Sequence, residues 1–456
     1  MLIRLYDTHV RRRKNWRHFD EMASFSGDSR ELTAGRLASL LRHAARTVPF
    51  YRGKISSSLG DGEAFQALAS LPVVGKRELN SSPELFLSSE PGRGIFSNFT
   101  SGSSGQFLEV LQDGEYFDWA MAGKYLFYTW AGWKPGDRIL KLWNSQRDLQ
   151  GIAAGFKSRI GYRLRDMRLL DSKKISPETM EKYADAVRSW RPAVVEAAVE
   201  AALPLSRAMT ARGVSPAASL RGVITSTGTL FPEFEEEIRR AFGVPVTNRY
   251  GCREAGDMAC TCPAGRIHVN PFTHFLEVLD ERGNPVAEGT GRVAVTLLTN
   301  YTMPLIRYDI QDMATVGREP SPCPCGRNWQ TLERVEGRIG SMFCRQDGTL
   351  LHPLFFVRSL HMADREHIVE RYQVVQEDYG RFTVRLVFSA GIPEDGARAR
   401  LVMSAAEKEI RRLVEDPLEI GFHVAGEIPP LPSGKYLYAL SRVCQESLLL
   451  PWSEKE

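Results

Sequence analysis

Between residues 138 and 250 short apolar runs alternate with helical stretches, and this alternation restricts the chain to an α/β architecture. Arg138-Ile139-Leu140-Lys141-Leu142-Trp143 reads as a strand, and a helical stretch follows that ends near Trp190. Ala193-Val194-Val195 reads as a buried strand, Leu220 to Thr225 as another, Pro232 to Phe242 as an amphipathic helix and Val244 to Tyr250 as a further strand. In parallel α/β sheets ligands collect beyond the carboxyl ends of the strands, so the loop Tyr250-Gly251-Cys252-Arg253-Glu254-Ala255-Gly256 is a candidate for holding a nucleotide and its metal. From about residue 266 the chain turns β-rich, with Phe275 to Leu279 and Arg292 to Leu298 flanking a Gly283-Asn284 turn, which predicts an antiparallel subdomain.

Upstream, residues 1–92 read as short helices broken by polar turns, with Leu37, Leu40, Leu41 and Ala44 at helical spacing and Pro49 closing that helix. Residues 115 to 132 carry Tyr116, Phe117, Trp119, Tyr125, Phe127, Tyr128 and Trp130, a helix whose aromatic side chains belong mostly to the core. Between these lies Thr100-Ser101-Gly102-Ser103-Ser104-Gly105, after Ile95, Phe96 and Phe99. Glycines let successive N–H groups turn inward and hydroxyls add donors, so this loop can converge on anionic oxygens; a polar hairpin turn is the alternative.

A chain of 456 residues is too long for one ordinary core and predicts two to three domains. The 59 basic residues nearly balance the 55 acidic ones, which argues for neither nucleic acid nor a membrane surface as partner. Arg11-Arg12-Arg13-Lys14, beside Trp16 and Phe19, reads as a solvated helix face, with an anionic partner as the alternative. Met1-Leu2-Ile3-Arg4 opens no apolar leader, and no apolar run reaches the roughly 18 residues of a span, so a cytoplasmic protein is expected. The seven cysteines, at 252, 260, 262, 323, 325, 344 and 444, all fall in the second half, and in a reducing compartment they point to metal or buried thiols before disulfides.

Several segments in fixed order resemble the core motifs of the adenylate-forming (ANL) superfamily: TSGSSG at 100–105, LRGVITSTGTL at 220–230, YGCREAG at 250–256, MPLIRYDIQD at 303–312, EGRIG at 336–340 and PSGKYLY near the end. TVPFYR at 47–52, LPVVGKREL at 71–79, LWNSQRDLQG at 142–151, CPCGR at 323–327 and YQVVQ at 372–376 resemble more narrowly the phenylacetate-CoA ligase-like group. Within it, they point to the branch of CapK-type capsular polysaccharide proteins and deazaflavin-adenylylating synthetases. The resemblance implies an N-terminal AMP-binding domain over 1–337, with the helical cap at 1–92, and a small mobile α+β domain over 338–456.

It implies a phosphate loop at Thr100, Ser101, Gly102, Ser103, Ser104 and Gly105, an adenine and α-phosphate neighbourhood at Tyr250 and Gly251, and Glu254 as a magnesium ligand, with a helix N-terminal carboxylate as the bland reading of Glu254. Asp312 matches the aspartate that accepts from both ribose hydroxyls, and Arg338 the arginine that helps hold ribose or phosphate. Lys435 matches the catalytic lysine of the mobile domain, whose charge stabilises an anionic transition state. Arg307 reads better as a structural partner of a neighbouring acid such as Asp309. Trp143, Asn144 and Thr227 are candidate walls of the acid pocket.

Cys262 and His268, with Cys323 and Cys325 of the Cys-Pro-Cys-Gly turn, make a four-ligand set suited to a closed tetrahedral zinc site; Cys260 is an alternative to Cys262. Three departures stand out: Gly228 occupies the usual place of a Glu, Gln106-Phe107-Leu108 follows the phosphate loop without its usual Pro, and Ile339-Gly340-Ser341 replaces acidic residues after Arg338. The function implied is ATP- and magnesium-dependent activation of a carboxylic acid to an acyl-AMP with release of pyrophosphate, then transfer to CoA. Transfer to an amine or hydroxyl, nucleotidyl transfer with the adenylate as product, and a non-catalytic nucleotide-binding protein are the alternatives. Nothing in the sequence excludes a homodimer.

Overall fold

The structure is a computed structural model that describes residues 2–99, 108–143, 160, 163–172, 176–318, 322–339, 342–346, 350–351, 356, 359–360, 363–364, 366–413, 418–429 and 436–443. The chain divides into two compact units, Met1–Ile310 with Ala314–Val335, and Gln311–Met313 with Glu336–Glu456. The strands are β1 (Phe96–Phe99), β2 (Glu109–Gln112), β3 (Ile139–Trp143), β4 (Met167–Asp171), β5 (Val194–Ala198), β6 (Gly222–Ser226), β7 (Val246–Cys252), β8 (Gly256–Thr261), β9 (Ile267–Val269), β10 (His274–Leu279), β11 (Gly289–Leu297), β12 (Tyr308–Val316), β13 (Thr331–Leu332) and β14 (Arg334–Arg338).

An eight-stranded sheet in the order β13-β9-β8-β7-β6-β5-β3-β4 organises the first unit. From β4 to β7 all neighbours are parallel, and from β7 to β13 all are antiparallel. The parallel half arises because helices return the chain between strands, as the strand-helix alternation predicts. Helix Pro177–Trp190 starts where Ser176 Oγ accepts the Thr179 N–H and proline sits in the first turn, and helix Pro232–Phe242 stops at Gly243 with φ 65°. Helix Val199–Ala211 is the third crossover. β5 and β6 are buried along their whole length, sealed by Leu140, Leu142, Val195, Leu205 and Ile238.

The order β10-β11-β12-β14 makes a four-stranded sheet, its β10–β11 hairpin antiparallel as the Gly283-Asn284 turn predicts. The N-terminal segment is helical, with Asn15–Ser24, Ser29–Thr47, Ala64–Ala69 and Lys76–Ser81; Leu37, Leu40, Leu41 and Ala44 are all fully buried. The basic run differs from the solvated face expected of it. Lys14 pairs with Glu115, and the Arg13 guanidinium lies 4.6 Å over the Phe117 ring, so part of it tethers helix Gly114–Trp130. That helix buries Tyr116, Trp119, Tyr125, Phe127, Tyr128 and Trp130, which makes its aromatic side chains core.

In the second unit β15 (Phe343–Cys344) pairs with β16 (Leu350–Leu351). A four-stranded sheet runs β19 (Glu419–Val424), β18 (Arg381–Phe388), β17 (Val369–Asp378) and β20 (Ala439–Ser441), with helix Ala397–Leu413 following β18 in the chain. Phe343, Phe356, Phe382, Val384 and Ile410 form its core. Among the described residues no helix is long and apolar enough to cross a membrane.

Candidate functional site

The parallel strand β7 ends in the Tyr250–Gly256 segment and turns back as β8, with a register shift between Tyr250 and Gly251. Glycine is required at 251: a Cβ there would lie 2.3 Å from the Gly256 carbonyl oxygen. Gly256 has φ 85°, a left-handed conformation that glycine adopts without strain. This tight turn sets Glu254 inward, 4% exposed, where its Oε1 accepts from the Tyr308 hydroxyl at 3.2 Å and faces Lys76 Nζ at 3.3 Å. Burial, reinforced by the Glu254 carboxylate, pushes the Tyr308 phenol well above its ordinary range, so it stays a donor. Glu254 is therefore a buried ion-pair partner in a β-turn and not a helix N-terminal carboxylate. The Gln112 amide donates to the Glu254 carbonyl at 2.9 Å and Asn98 to that of Arg253 at 2.8 Å, anchoring the turn to β1 and β2. The connection between those two strands, including Thr100 to Gly105, lies outside the described residues, as do Asn144 and Lys435. Ile95, Phe96 and Phe99 are exposed.

Asp312 and Arg338, predicted separately, meet within the second unit: Arg338 Nε lies 3.0 Å from Asp312 Oδ1. Arg307 does not pair with Asp309. Its Nε donates to Glu277 at 3.1 Å and its two Nη groups to the carbonyls of Ala69, Leu71 and Gly283, while Asp309 pairs with Arg292. Residues two apart on a strand point the same way, but Arg307 precedes β12 with φ 48°, which turns its side chain towards β10 instead. Thr227 has φ 59°, and a Cβ on the following Gly228 would lie 2.5 Å from Glu200 Oε1, so the glycine there fits a tight approach.

Cys262, His268, Cys323 and Cys325 bring one ligand atom each within 4.8 Å of one another. Cys262 Sγ and Cys323 Sγ are 3.7 Å apart, and Cys325 Sγ is 3.4 Å from His268 Nε2. Ligand edges of a tetrahedral zinc with ordinary Zn–S and Zn–N bonds are about 3.8 Å and about 3.5 Å, so the donor set fits the ion. His268 Nδ1 lies 3.3 Å from the Trp329 carbonyl, which leaves Nε2 facing Cys325 Sγ, the arrangement a metal-ligating histidine needs. Cys260 is not in the set: it is fully buried on β8, opposite His268 in the ladder. None of the six described cysteines forms a disulfide.

One cluster was not read from the sequence. Lys141 on β3 is in register with Glu196 on β5, and Lys141 Nζ lies 3.0 Å from Glu196 Oε1. Arg249 on β7 donates to the same oxygen at 2.6 Å and to Ser226 Oγ at 3.4 Å, and its Nε faces Asp257 at 3.2 Å. The Tyr128 hydroxyl donates to the other Glu196 oxygen, and Lys124 Nζ stands 4.0 Å from Glu196 Oε1. Burial alone would raise the Glu196 carboxyl, but Arg249, Lys141 and Lys124 outweigh it and hold it well below the usual range. Burial lowers the Lys141 ammonium to about 8 against the pull of Glu196. The signal available was a Lys in Ile-Leu-Lys-Leu-Trp and a Glu in Val-Val-Glu-Ala-Ala, charges inside strands otherwise apolar enough to be covered on both faces.

No protein-family profile matches the chain. Phenylacetate-coenzyme A ligase of Thermus thermophilus is 26% identical over 361 residues, 76% of this chain and 78% of that protein. Protein CapK of Staphylococcus aureus is 19% identical over 266 residues, 58% of this chain and 56% of that protein. Among solved structures, 2-hydroxyisobutyryl-CoA ligase in the postadenylation state in complex with R3-HIB-AMP superposes with a TM-score of 0.69 at 17% identity, covering 92% of this chain and 91% of that one. That likeness establishes the fold. The sequence likeness to phenylacetate-CoA ligases and CapK, on the fold of an acyl-CoA ligase, supports a place in the adenylate-forming superfamily, in its phenylacetate-CoA ligase-like group.

Proposed function

We propose that the protein is an adenylate-forming ligase that activates a carboxylic acid with ATP and passes the acyl group to CoA. In the first half-reaction a carboxylate oxygen attacks the α-phosphorus of ATP, the bond to the β-phosphate breaks, and pyrophosphate leaves. In the second, the CoA thiolate attacks the acyl carbon and AMP leaves. The observation that carries this reading is the Tyr250–Gly256 turn at the carboxyl end of a parallel strand, a Cβ-intolerant glycine beside a buried carboxylate, in a chain that keeps the superfamily's motif order.

In this reading Thr100, Ser101, Gly102, Ser103, Ser104 and Gly105 hold the phosphates, Tyr250 and Gly251 flank adenine and α-phosphate, and Asp312 with Arg338 serves the ribose. Lys435 supplies positive charge to the transition state. Glu254 is the residue for magnesium, since an ion that stays on nucleotide phosphates needs only one or two carboxylates from the protein. Lys76, now 3.3 Å from Glu254 Oε1, would have to yield that oxygen. The Cys262, His268, Cys323 and Cys325 set would hold a structural zinc that ties the β8–β9 turn to the segment before β13. Acid-dependent pyrophosphate release over a panel of aryl, fatty and amino acids, with and without CoA, tests the reading. The expected result is release that needs an acid and falls in Glu254→Gln; release independent of any acid contradicts it.

A further inference from the structure

The buried cluster on β3, β5 and β7 holds more positive than negative groups. Three cations, Lys124, Lys141 and Arg249, face two carboxylates, Glu196 and Asp257, and no other charged side chain is paired into it among the described residues. Arg249 is 4% exposed, and its Nη1 has no hydrogen-bond partner among the described residues. A guanidinium nitrogen buried in this way is costly unless something else accepts from it. The position is also telling. Lys141 and Glu196 share a register row, Ala198 and Ser226 share the row two further towards the carboxyl ends, and Trp143 stands two residues beyond Lys141. Trp143 covers the Lys141 ammonium, its ring centroid 3.9 Å from Nζ. Arg249 is the residue immediately before Tyr250 in β7, so the surplus charge lies within the strands and adjoins the turn where the ligand is expected. The side chains of Lys124 and Asp257 keep 23% and 27% of their exposure, so the cluster is not sealed.

Resting on the adenylation reading, we propose that Lys141 and Arg249, with Lys124 at the rim and Ser226 beside them, are the specificity-determining groups for the acid, and that this acid carries a second anionic group besides the carboxylate that is activated. The second anion accepts from Arg249 Nη1 and balances the excess cation, while Glu196 and Tyr128 hold the cations in place. An acid with a purely apolar tail would leave the guanidinium unsatisfied and meet charge where it needs hydrocarbon.

Paired acids of equal length test this: butanoate with succinate, hexanoate with adipate, and benzoate with terephthalate. Thermal-shift binding and ATP–pyrophosphate exchange are measured for each pair on the full chain, on Lys141→Met and on Lys124→Met, the second variant being at a part-exposed position that disturbs the core least. We expect at least one dicarboxylate to bind and exchange about tenfold better than its partner, as one charge-assisted hydrogen bond requires, and both variants to narrow that ratio. Equal or better performance of every monocarboxylate, or a ratio that neither variant changes, overturns the proposal and makes the cluster purely structural. Absence of binding by either class also overturns it. Dicarboxylate-selective binding that the variants abolish, without any exchange, upholds the subsite and overturns the adenylation reading instead.

Discussion

Gly251 shows how one residue fixes the turn on which the site rests. Alanine there would put its Cβ 2.3 Å from the Gly256 carbonyl oxygen, and backbone on both strands of the hairpin leaves little room to yield. Gly251→Ala is expected to cost about 1–3 kcal/mol, read as a lower urea midpoint with unchanged slope. His274 sets a pH dependence. It is fully buried, its Nε2 lies 2.9 Å from the Ala255 carbonyl, and burial lowers its pKa to about 4. Because the folded value is depressed, the neutral ring contributes stability that is fully present above the unfolded value of about 6.5, and that is lost as pH falls through about 4. His274→Gln should flatten the urea midpoint between pH 7 and pH 4, and an unchanged slope would contradict this. Arg307 illustrates a role that local sequence hides. Asp309 is two residues away, but a positive φ turns the arginine to Glu277, a pairing across strands that no spacing rule reports.

At the scale of elements, β3, β5, β6, β7 and the helices Pro177–Trp190 and Pro232–Phe242 were legible because each carries its own signal, such as an apolar run of strand length or Gly243 at a helix end, whereas β4 and the helix Val199–Ala211 were not read. The convergence of Cys262, His268, Cys323 and Cys325 was legible for a different reason. Cys323-Pro-Cys325 leaves little use for two thiols except as ligands, whereas the choice between Cys260 and Cys262 needed the ladder that puts Cys260 opposite His268. Replacing Cys323 with Ser should take metal content from about one zinc per chain to near none, measured by elemental analysis. The same change should lower the unfolding temperature; a wild-type protein without zinc, or one that keeps its stability on chelation, would contradict the assignment. The Glu196 cluster went unread because its members come from β3, β5, β7, β8 and the helix Gly114–Trp130, and pairing at such separations is a property of the sheet order. Removing the anion alone, in Glu196→Ala, leaves Lys141 and Arg249 facing each other in a buried place. A loss of about 3–5 kcal/mol is expected, larger than that of Lys124→Met in the same denaturation assay.

For the whole molecule, the two compact units divide the proposed work. The first supplies the Tyr250–Glu254 turn and the buried cluster; the second contains Asp312 and Arg338 and the stretch with Lys435. The proposed adenylation needs the lysine's charge at the moment pyrophosphate leaves. The most direct measurement is a single-turnover reaction of enzyme with ATP and an acid, without CoA, with acyl-AMP quantified by mass spectrometry in the wild type and in Lys435→Ala. The account predicts an acyl-AMP with one equivalent of pyrophosphate, formed roughly 100-fold or more slowly in the variant, the scale expected for loss of a charge that acts only in the transition state. Acyl-AMP formed equally fast in both proteins would contradict the role of Lys435, and AMP joined to the acid as a lasting product that CoA does not consume would contradict the ligase.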